Sequence, residues 1–164
     1  MSHYGHKAHF DFLSQRIPYE FKGRRMVDLG CGDGVNTIRL KEIFRPSSII
    51  GYDIHSGLIQ RANKNGIEAY QLNLEEEEIE GELGILWGTL HHMQDPRRFL
   101  MRSKRNFSYL FIREKVSKVF FELGRPFSRQ ELLTLCQESL GEINVVEYRP
   151  DDHILFIFYQ NRKT

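Results

Sequence analysis

The chain has 164 residues, 40% of them hydrophobic, and its 23 Lys and Arg residues nearly balance 22 Asp and Glu residues. This length suggests one domain with a buried core, and the net charge of +1 argues against a protein that coats nucleic acid. Two cysteines form neither a disulfide framework nor a zinc motif, and no apolar run reaches the ~18–20 residues that span a bilayer. The N-terminal segment lacks the apolar stretch of a signal peptide, so we expect a small cytoplasmic protein.

The predicted elements alternate between helices and strands along the chain. Helices are predicted over 4–15, from the glycine-rich segment to Pro46, over 57–65, over 97–101, and from the capping box Ser128-x-x-Glu131 to about 140. Strands are predicted over 25–29, 48–53, 68–72, 83–87, 109–112, 143–148 and 154–159. Such alternation implies a mostly parallel sheet covered by helices on both faces. The last two strands have no helix between them, so we expect an antiparallel hairpin with the seventh strand reversed.

The first predicted strand runs into the glycine-rich sequence GCGDG, residues 30–34. In an open α/β sheet, ligands bind at the carboxyl ends of the strands, and glycines there let the backbone approach a ligand closely. The N-terminus of the following helix favours an anion. Asp53, at the end of the second strand, is placed to accept hydrogen bonds from a ribose diol. Together these features predict a site for a nucleoside-containing cofactor.

The spacing of the glycines separates cofactor classes. A dinucleotide-binding fold requires G-x-G-x-x-G, but Val35 stands where its last glycine would be. The chain contains no Gly-Lys-Ser/Thr, which excludes a P-loop. The observed pattern is acid-x-Gly-x-Gly-x-Gly, beginning at Asp28. A tight turn that only packs the first helix is the alternative, but it leaves Asp28 and Asp53 as strand-end acids without a role.

With this pattern the sequence resembles the class I S-adenosylmethionine-dependent methyltransferases, over residues 22–160. VDLGCGDG (27–34) is similar to the family's first motif, YDI (52–54) to its second, and LHHMQDP (90–96) to the segment after its fourth strand. The resemblance implies a three-layer, Rossmann-like α/β fold in one methyltransferase domain, 1–164, with residues 1–20 as an N-terminal lid. It also implies S-adenosylmethionine as the cofactor and S-adenosylhomocysteine as its product.

The resemblance also implies a role for each residue of the cofactor site. Gly30, Cys31 and Gly32 would line the methionine moiety, with Asp28 near its ammonium group. Asn73 stands where the family reads the adenine. The implied cofactor-binding residues are Asp28, Gly30, Cys31, Gly32, Gly34, Asp53, Ile54, Asn73, Leu74 and Gly88. No metal site is expected.

Three positions depart from the family's pattern. Asn73 replaces the usual Asp at the adenine contact, although its amide oxygen can still accept a hydrogen bond from the adenine amino group. Gly84 stands where an Asp commonly opens the fourth strand. Residues 103–106 replace the Pro-Gly-Gly turn often found before strand five, which predicts a remodelled edge there.

Methyl transfer from a sulfonium needs few groups from the protein. The protein has to align the acceptor with the methyl–sulfur bond and exclude water, and it needs a base only where the acceptor must lose a proton. His92 is the first candidate for that base because it lies just past the fourth strand, and His91 is the alternate. The simpler and favoured interpretation is that this pair only caps the loop or packs beside the cofactor.

The N-terminal segment carries His3, His6 and His9 at a three-residue spacing. No cysteine lies nearby and Asp11 falls on another helical face, so exposed residues on a mobile lid are favoured over a metal site. In the resembled family such a segment often closes over the cofactor, which makes Tyr4, His6 and Phe10 candidates for lining the acceptor pocket. We expect Trp87, in contrast, to face the core.

Charge is unevenly distributed despite the neutral total. Six glutamates lie within 75–82, and eight Lys and Arg residues lie within 97–118 against one acid, Glu114. Two solvated surfaces are the favoured interpretation. The alternative is a basic face for the phosphates of an RNA or for a carboxylate-bearing partner.

Two main hypotheses follow, and a third is weaker. The first is an active methyltransferase with a small-molecule acceptor, supported by the intact first and second motifs. The second is a non-catalytic cofactor-binding subunit that partners another protein, supported by the short insert over 114–125. The third is an RNA methyltransferase, which rests on the basic stretch. No membrane partner is expected.

Overall fold

The structure, a computed structural model, describes residues 3–116, 126–150 and 153–162. The helices are α1 (His3–Ser14), α2 (Val35–Phe44), α3 (Ser56–Lys64), α4 (Pro96–Asn106) and α5 (Arg129–Leu140). The strands are β1 (Arg25–Leu29), β2 (Ser48–Asp53), β3 (Ala69–Gln71), β4 (Gly81–Trp87), β5 (Phe107–Lys115), β6 (Asn144–Tyr148) and β7 (Ile154–Gln160). Short 3₁₀ turns lie at Tyr19–Phe21 and Leu90–His92.

The strands form one seven-stranded sheet in the order β3-β2-β1-β4-β5-β7-β6. Strands β1 to β5 pair in parallel, whereas β7 is antiparallel to both β5 and β6. The strand order reverses between β1 and β4, and the carboxyl ends of strands at such a switch point form a ligand crevice. The predicted Rossmann-like fold, with its reversed seventh strand, is confirmed.

Two apolar clusters fill the space between the sheet and its helices. On one face, α4 and α5 pack side chains such as Phe99 and Leu132 against the strands. On the other face, α1 and α2 do the same with side chains such as Leu13 and Leu40. All four of these side chains are at most 4% exposed. Helices on both faces of the sheet give the predicted three layers.

Helix α4 is longer than its sequence predicts. The predicted helix ends at Met101, but α4 continues to Asn106 and β5 begins at the next residue. The residues 103–106, expected as a remodelled turn, are therefore the last turn of this helix. The physical reason is that Ser103 lies on the same buried helix face as Phe99 and Leu100, so the helix keeps its contact with the sheet.

Helix α1 packs against the sheet through its aromatic residues. Phe10 is 6% exposed and stacks on Trp87, with ring centroids 4.6 Å apart. The prediction that Trp87 faces the core is confirmed, and Phe10 belongs to that core as well. The capping box at the start of α5 is also present, since Ser128 and Glu131 exchange hydrogen bonds of 2.8 and 3.2 Å. Within the described residues, no helix has the length and apolarity needed to cross a bilayer.

Candidate functional site

The glycine-rich loop connects β1 to α2 at the switch point of the sheet. Gly30, Gly32 and Gly34 all have positive φ angles, of 92°, 56° and 81°. A Cβ atom on Gly30 would lie 2.6 Å from Oγ1 of Thr89, so the loop backbone touches the end of β4. The Gly30 N–H also donates to the carbonyl of Tyr52 at 2.8 Å. The loop is thus held between the ends of β2 and β4.

Asp53 lies beside this loop at the end of β2. Its Oδ2 accepts a hydrogen bond from the Gly32 N–H at 3.0 Å, and its Oδ1 accepts one from the His55 N–H at 2.9 Å. A carboxylate has about four acceptor positions. Asp53 is therefore oriented by the backbone while each oxygen can still accept a further hydrogen bond.

Asp28 is buried under the same loop. Its side chain is 2% exposed and its Oδ2 accepts a hydrogen bond from the Thr37 hydroxyl at 2.6 Å. Burial raises the pKa of Asp28 to about 6, the bond from Thr37 opposes this shift, and the negative charge of Asp53 adds to it. The second oxygen, Oδ1, has no hydrogen-bond partner among the described residues. A buried acceptor left unpaired is costly, so this atom suits a donor group on a ligand.

The loop after β3 forms the opposite wall of the crevice. Asn73 Oδ1 accepts a hydrogen bond from the Glu75 N–H at 3.1 Å, which fixes the side chain of Asn73. The guanidinium of Arg102, on α4, donates to the carbonyls of Leu74 and Glu75. This loop is therefore held by a charged side chain from a helix that follows it in sequence.

A cavity of about 610 Å³ opens between these walls. Six of the ten residues predicted for the cofactor line it: Gly30, Asp53, Ile54, Asn73, Leu74 and Gly88. The other four, Asp28, Cys31, Gly32 and Gly34, are not among the residues that line it. Gly34 has a different structural role, because a Cβ atom there would lie 3.0 Å from Ile67 and block the packing of α3.

Cys31 is buried and does not provide a reactive thiol. Its side chain is 6% exposed, and burial together with the charges of Asp28 and Asp53 raises its pKa to about 12. The thiol therefore stays protonated at neutral pH, whereas reactive cysteines are thiolates. A small buried residue between glycines is the interpretation that this environment supports.

The two candidate histidines differ in their surroundings. His92 borders the cavity, and its pKa is lowered by desolvation and by the neighbouring charge of His91. His91 instead lies with its Nδ1 atom 2.8 Å from Oε2 of Glu114. The two imidazole rings are 3.9 Å apart between centroids. The sequence ranks His92 first, but only His91 is held by a charged partner.

Glu114 is the main site residue that sequence reasoning missed. Its carboxylate is fully buried, and its other oxygen, Oε1, accepts a hydrogen bond from the Leu90 N–H at 2.8 Å. In the sequence Glu114 was only the single acid within a basic stretch. The signal available was its position two residues after the predicted strand 109–112, because an acid near the carboxyl end of a buried parallel strand lies at the ligand-binding edge of the sheet. Arg102 and Thr89 were also missed, since each acts through a residue distant in sequence.

Several side chains of the two charged stretches are paired in the structure. In the basic stretch, Arg97 lies 2.5 Å from Glu138 and Arg102 binds the loop carbonyls. In the acidic stretch, Glu78 accepts a hydrogen bond from Asn106 and Glu82 pairs with Arg25. Lys118 and most of the insert over 114–125 lie outside the described residues.

Other candidate ligand positions are separate from this cavity. A second cavity of about 670 Å³ lies between α1 and α2 and is lined mainly by charged side chains. None of the predicted cofactor-binding residues lines it, but Phe10 does. Within the described part of the chain, no three His, Cys, Asp or Glu residues are arranged to hold a metal ion. The side chains of His3 and His6 lie outside that part. The expectation that His9 is exposed is wrong, because His9 is 3% exposed and packs edge-on against the ring of Tyr148.

The sheet topology, the glycine loop, the acid at the end of β2 and the cavity at the switch point define a Rossmann-like protein that binds a nucleoside-containing cofactor. A family model described as a methyltransferase domain matches residues 1–139. The chain therefore belongs to the methyltransferase-domain family. The resemblance that its motifs indicated is confirmed.

Solved structures share this fold at low sequence identity. An S-adenosylmethionine-dependent methyltransferase of Thermotoga maritima, a possible histamine N-methyltransferase, superposes with a TM-score of 0.74 at 17% identity, covering 96% of this chain and 89% of that one. The N-terminal domain of EvdMO1, crystallised with S-adenosylhomocysteine and D-fucose, gives 0.66 at 17% identity and covers 94% of this chain and 82% of that one. At such identities the likeness establishes the fold alone.

A curated human protein shows a partial likeness in sequence. The 7SK snRNA methylphosphate capping enzyme of Homo sapiens is 39% identical over 70 residues, which is 41% of this chain. The match spans 10% of that protein, so the chain covers about a tenth of the length of this relative.

Proposed function

We propose that the chain binds S-adenosylmethionine in the cavity at the switch point and transfers its methyl group to a small-molecule acceptor. The observation that carries the proposal is that Gly30, Asp53, Asn73 and Gly88, from four separate segments, border one cavity of about 610 Å³. This volume lies within the range of about 300–1,000 Å³ that is usual for small-molecule sites. Membership of the methyltransferase-domain family supports the reaction.

The shape of the wall fits such a cofactor. Gly88 has a φ angle of 67° and Gly30 one of 92°, values that glycine adopts without strain. Without side chains at these positions, backbone forms the wall and a ligand can approach it closely. The unpaired Oδ1 of Asp28 lies behind the loop as an acceptor for a cation, which suits the ammonium group of the methionine moiety.

The polar groups on the wall suit the nucleoside part. Asp53 is oriented by two backbone N–H groups and accepts the ribose hydroxyls. Asn73 is oriented by the Glu75 N–H, and the second lone pair of its amide oxygen accepts the adenine amino group. Leu74 supplies a backbone N–H to the ring, and Ile54 supplies an exposed apolar face beside it.

The chain's role in the reaction is to orient and to exclude water. When bound, S-adenosylmethionine supplies an electrophilic methyl group on a sulfonium. The lowered pKa of His92 keeps its imidazole uncharged at neutral pH, so this ring adds no positive charge beside the cavity.

A cytoplasmic location stays a prediction, supported by the two free cysteines.

Calorimetric and thermal titration with S-adenosylhomocysteine tests the proposal. We compare the wild type with Asp53→Asn and with Asp11→Asn, a control that removes an exposed carboxylate on α1. Ligand at 100 times its Kd should stabilise the wild type and the control by about 2.7 kcal/mol. Loss of charge-assisted hydrogen bonds should weaken binding to Asp53→Asn by about 10-fold or more. If the wild type neither binds nor is stabilised, the proposed function is wrong.

RNA methylation is a second candidate, favoured by the 39% identity to the RNA capping enzyme over 70 residues. Against it, Arg97 and Arg102 of the basic stretch are engaged within the protein. Transfer of a labelled methyl group to total RNA and to a small-metabolite extract, assayed side by side, separates the two candidates. Label in RNA alone would favour the second.

A further inference from the structure

Glu114 is a buried carboxylate, and both of its oxygens are engaged. Oε1 accepts from the Leu90 N–H and Oε2 lies against Nδ1 of His91, each at 2.8 Å. Removing a carboxylate from water is unfavourable unless hydrogen bonds compensate for the lost hydration. Among the described residues, these two groups provide that compensation. Leu90 and His91 belong to the same 3₁₀ turn after β4, so Glu114 fixes this turn and one imidazole ring together.

The hydrogen bond from His91 determines its tautomer. When the Glu114 carboxylate is ionised it only accepts hydrogen bonds, and Nδ1 of His91 then carries the proton. The other ring nitrogen, Nε2, then has a free lone pair whenever the imidazole is neutral. A carboxylate that holds an imidazole in this tautomer makes it a base, as the Asp does in the Ser-His-Asp triad.

The ring of His91 lies beside Gly88 at the end of β4, and His91 itself is not among the residues that line the cavity. Its Cε1 atom, bonded to both ring nitrogens, is 3.8 Å from the position that a Cβ of Gly88 would occupy. Gly88 lines the cavity, and the side chain of His91 is 21% exposed. Glu114 is fully buried on the other side of the ring. The imidazole therefore lies between a buried carboxyl group and Gly88, which lines the cavity at the end of β4.

A purely structural role explains part of this arrangement. Any acceptor at position 114 would satisfy the Leu90 N–H and hold the turn. A neutral Gln would do so with less desolvation than a carboxylate. The charge of Glu114 makes a specific difference only at His91, where it fixes which nitrogen carries the proton.

We propose that His91 is the catalytic base of this site, that Glu114 is its positioning residue, and that the methyl acceptor is a hydroxyl or amine group with a proton to lose. This inference rests on the proposed function. It excludes acceptors that are already anionic, such as carboxylates and phosphates, because these need no base. It also reverses the ranking of the two histidines that the sequence gives.

The step balances with groups already named. The acceptor oxygen or nitrogen forms a bond to the methyl carbon, and the methyl–sulfur bond breaks with its electron pair going to sulfur. The proton of the acceptor moves to Nε2 of His91, while Nδ1 keeps its hydrogen bond to Glu114. The imidazolium that results is stabilised by that carboxylate and returns its proton to solvent through the exposed part of the ring.

His92 is the less suitable base. No hydrogen bond from a described residue holds its ring, and its side chain is exposed. A base must be held in the geometry of proton transfer, and His91 alone of the two is held by a buried partner. His92→Gln is therefore the comparison variant for His91→Gln.

The Glu114→Gln variant gives a sharp spectroscopic test. The Leu90 N–H can only donate, so the Gln must turn its carbonyl oxygen toward Leu90 and its NH₂ group toward His91. Nδ1 of His91 would then become an acceptor, and the proton would move to Nε2. Nitrogen NMR of the histidine side chains, assigned with His91→Gln, should show Nδ1–H in the wild type and Nε2–H in Glu114→Gln. The control is Glu147→Gln, which removes a carboxylate on the edge strand β6 that pairs with His153. This variant should leave the His91 signals unchanged.

Kinetics provide the second test, with the acceptor identified by labelled-methyl transfer to a metabolite extract. Glu114→Gln and His91→Gln should each lower kcat by about 10²-fold, within the contribution of a general base. The Kd for S-adenosylhomocysteine should change by less than about 2-fold, because the proposed contacts with this ligand are made by other residues. His92→Gln should lower kcat by less than His91→Gln does. If Glu114→Gln folds poorly, the kinetics of His91→Gln still test the proposal, because the His91 ring is partly exposed and its replacement disturbs the fold less.

The outcomes separate this inference from the proposed function. Wild-type protein that does not bind S-adenosylhomocysteine would overturn both. Intact binding with an Nε2–H tautomer in the wild type, or unchanged turnover in His91→Gln, would overturn the base alone. Label recovered only in methyl esters of carboxylates or phosphates would also overturn it. Label in ethers or N-methyl groups, with the tautomer change in Glu114→Gln, would support it.

Discussion

Replacing Gly30 with Ala tests how tightly the glycine loop is held against the end of β4. The added Cβ would lie 2.6 Å from Oγ1 and 2.7 Å from Cγ2 of Thr89, at a φ angle of 92°. The positive φ costs about 1–2 kcal/mol for a residue with a Cβ. To relieve the contact, Thr89 must rotate and lose its 2.8 Å hydrogen bond to the Leu29 carbonyl, which costs about 1 kcal/mol.

These terms together predict that Gly30→Ala lowers the free energy of unfolding by about 2–3 kcal/mol. Gly32→Ala is the matched control, because Gly32 has a φ angle of 56° and a Cβ there meets nothing within 4 Å. It should cost only the backbone term of about 1–2 kcal/mol. Urea denaturation of both variants, followed by circular dichroism, provides the measurement.

A double-mutant cycle isolates the contact itself. Thr89→Ala removes Oγ1 and Cγ2 and leaves only Cβ, which would lie 3.2 Å from the new atom on Gly30. The combined variant should therefore be destabilised by less than the sum of the two single variants. A Gly30→Ala protein as stable as Gly32→Ala, or strict additivity with Thr89→Ala, would refute the close approach of the loop to β4.

Two further predictions concern the dependence of stability on pH. The folded-state pKa of Asp28, about 6, lies above its ordinary value of 3.8, so the folded state holds this proton more tightly and stability falls as pH rises from about 4 to 6. Asp28→Asn should reduce this fall in the free energy of unfolding by about 3 kcal/mol. Urea denaturation midpoints that change with pH as steeply as those of the wild type would contradict this. Hydrogen bonds from Arg129 and Arg149 lower the pKa of Glu147 to about 2, so its contribution is present above pH 4.5 and disappears as pH falls toward 2. Glu147→Gln should cost roughly 1 kcal/mol at pH 7 and nothing at pH 2; equal losses at both would contradict the pairing.

The fold could be predicted from the sequence because its signals are local. Each of the seven strands is a short apolar run between turn signals, and the glycine loop marks the end of β1. The sequence underestimates the length of an element where tertiary contacts extend it. Residues 103–106 look like a polar turn in the sequence, yet Ser103 packs against the sheet and α4 continues. Similarly, β5 extends to Lys115 because it pairs with β7 along its whole length.

The residues of the candidate site differ in the same way in how far the sequence predicts them. Gly30, Asp53 and Gly88 were predictable because each directly follows or ends a predicted strand. The pairing of Glu114 with His91 was not, since the two residues are 23 positions apart and meet only through the β4–β5 pairing. Arg102 was assigned to a basic surface for the same reason, although it holds a loop 28 positions earlier. Local patterns thus predict the frame of the site, and long-range contacts decide which side chains control it.

The connection between β3 and β4 contains no helix, and this affects how the cavity responds to a ligand. Residues 72–80 cross the sheet as a loop. Few amides of this loop donate to a backbone carbonyl, and those of Leu72 and Glu76 are among the few that do. These amides should exchange with deuterium far faster than those of β1 and β4, which are paired on both sides. A ligand that binds Asn73 and Leu74 should slow this exchange selectively. Mass spectrometry of the peptide over 72–80 would therefore report occupancy of the cavity before any methyl acceptor is known.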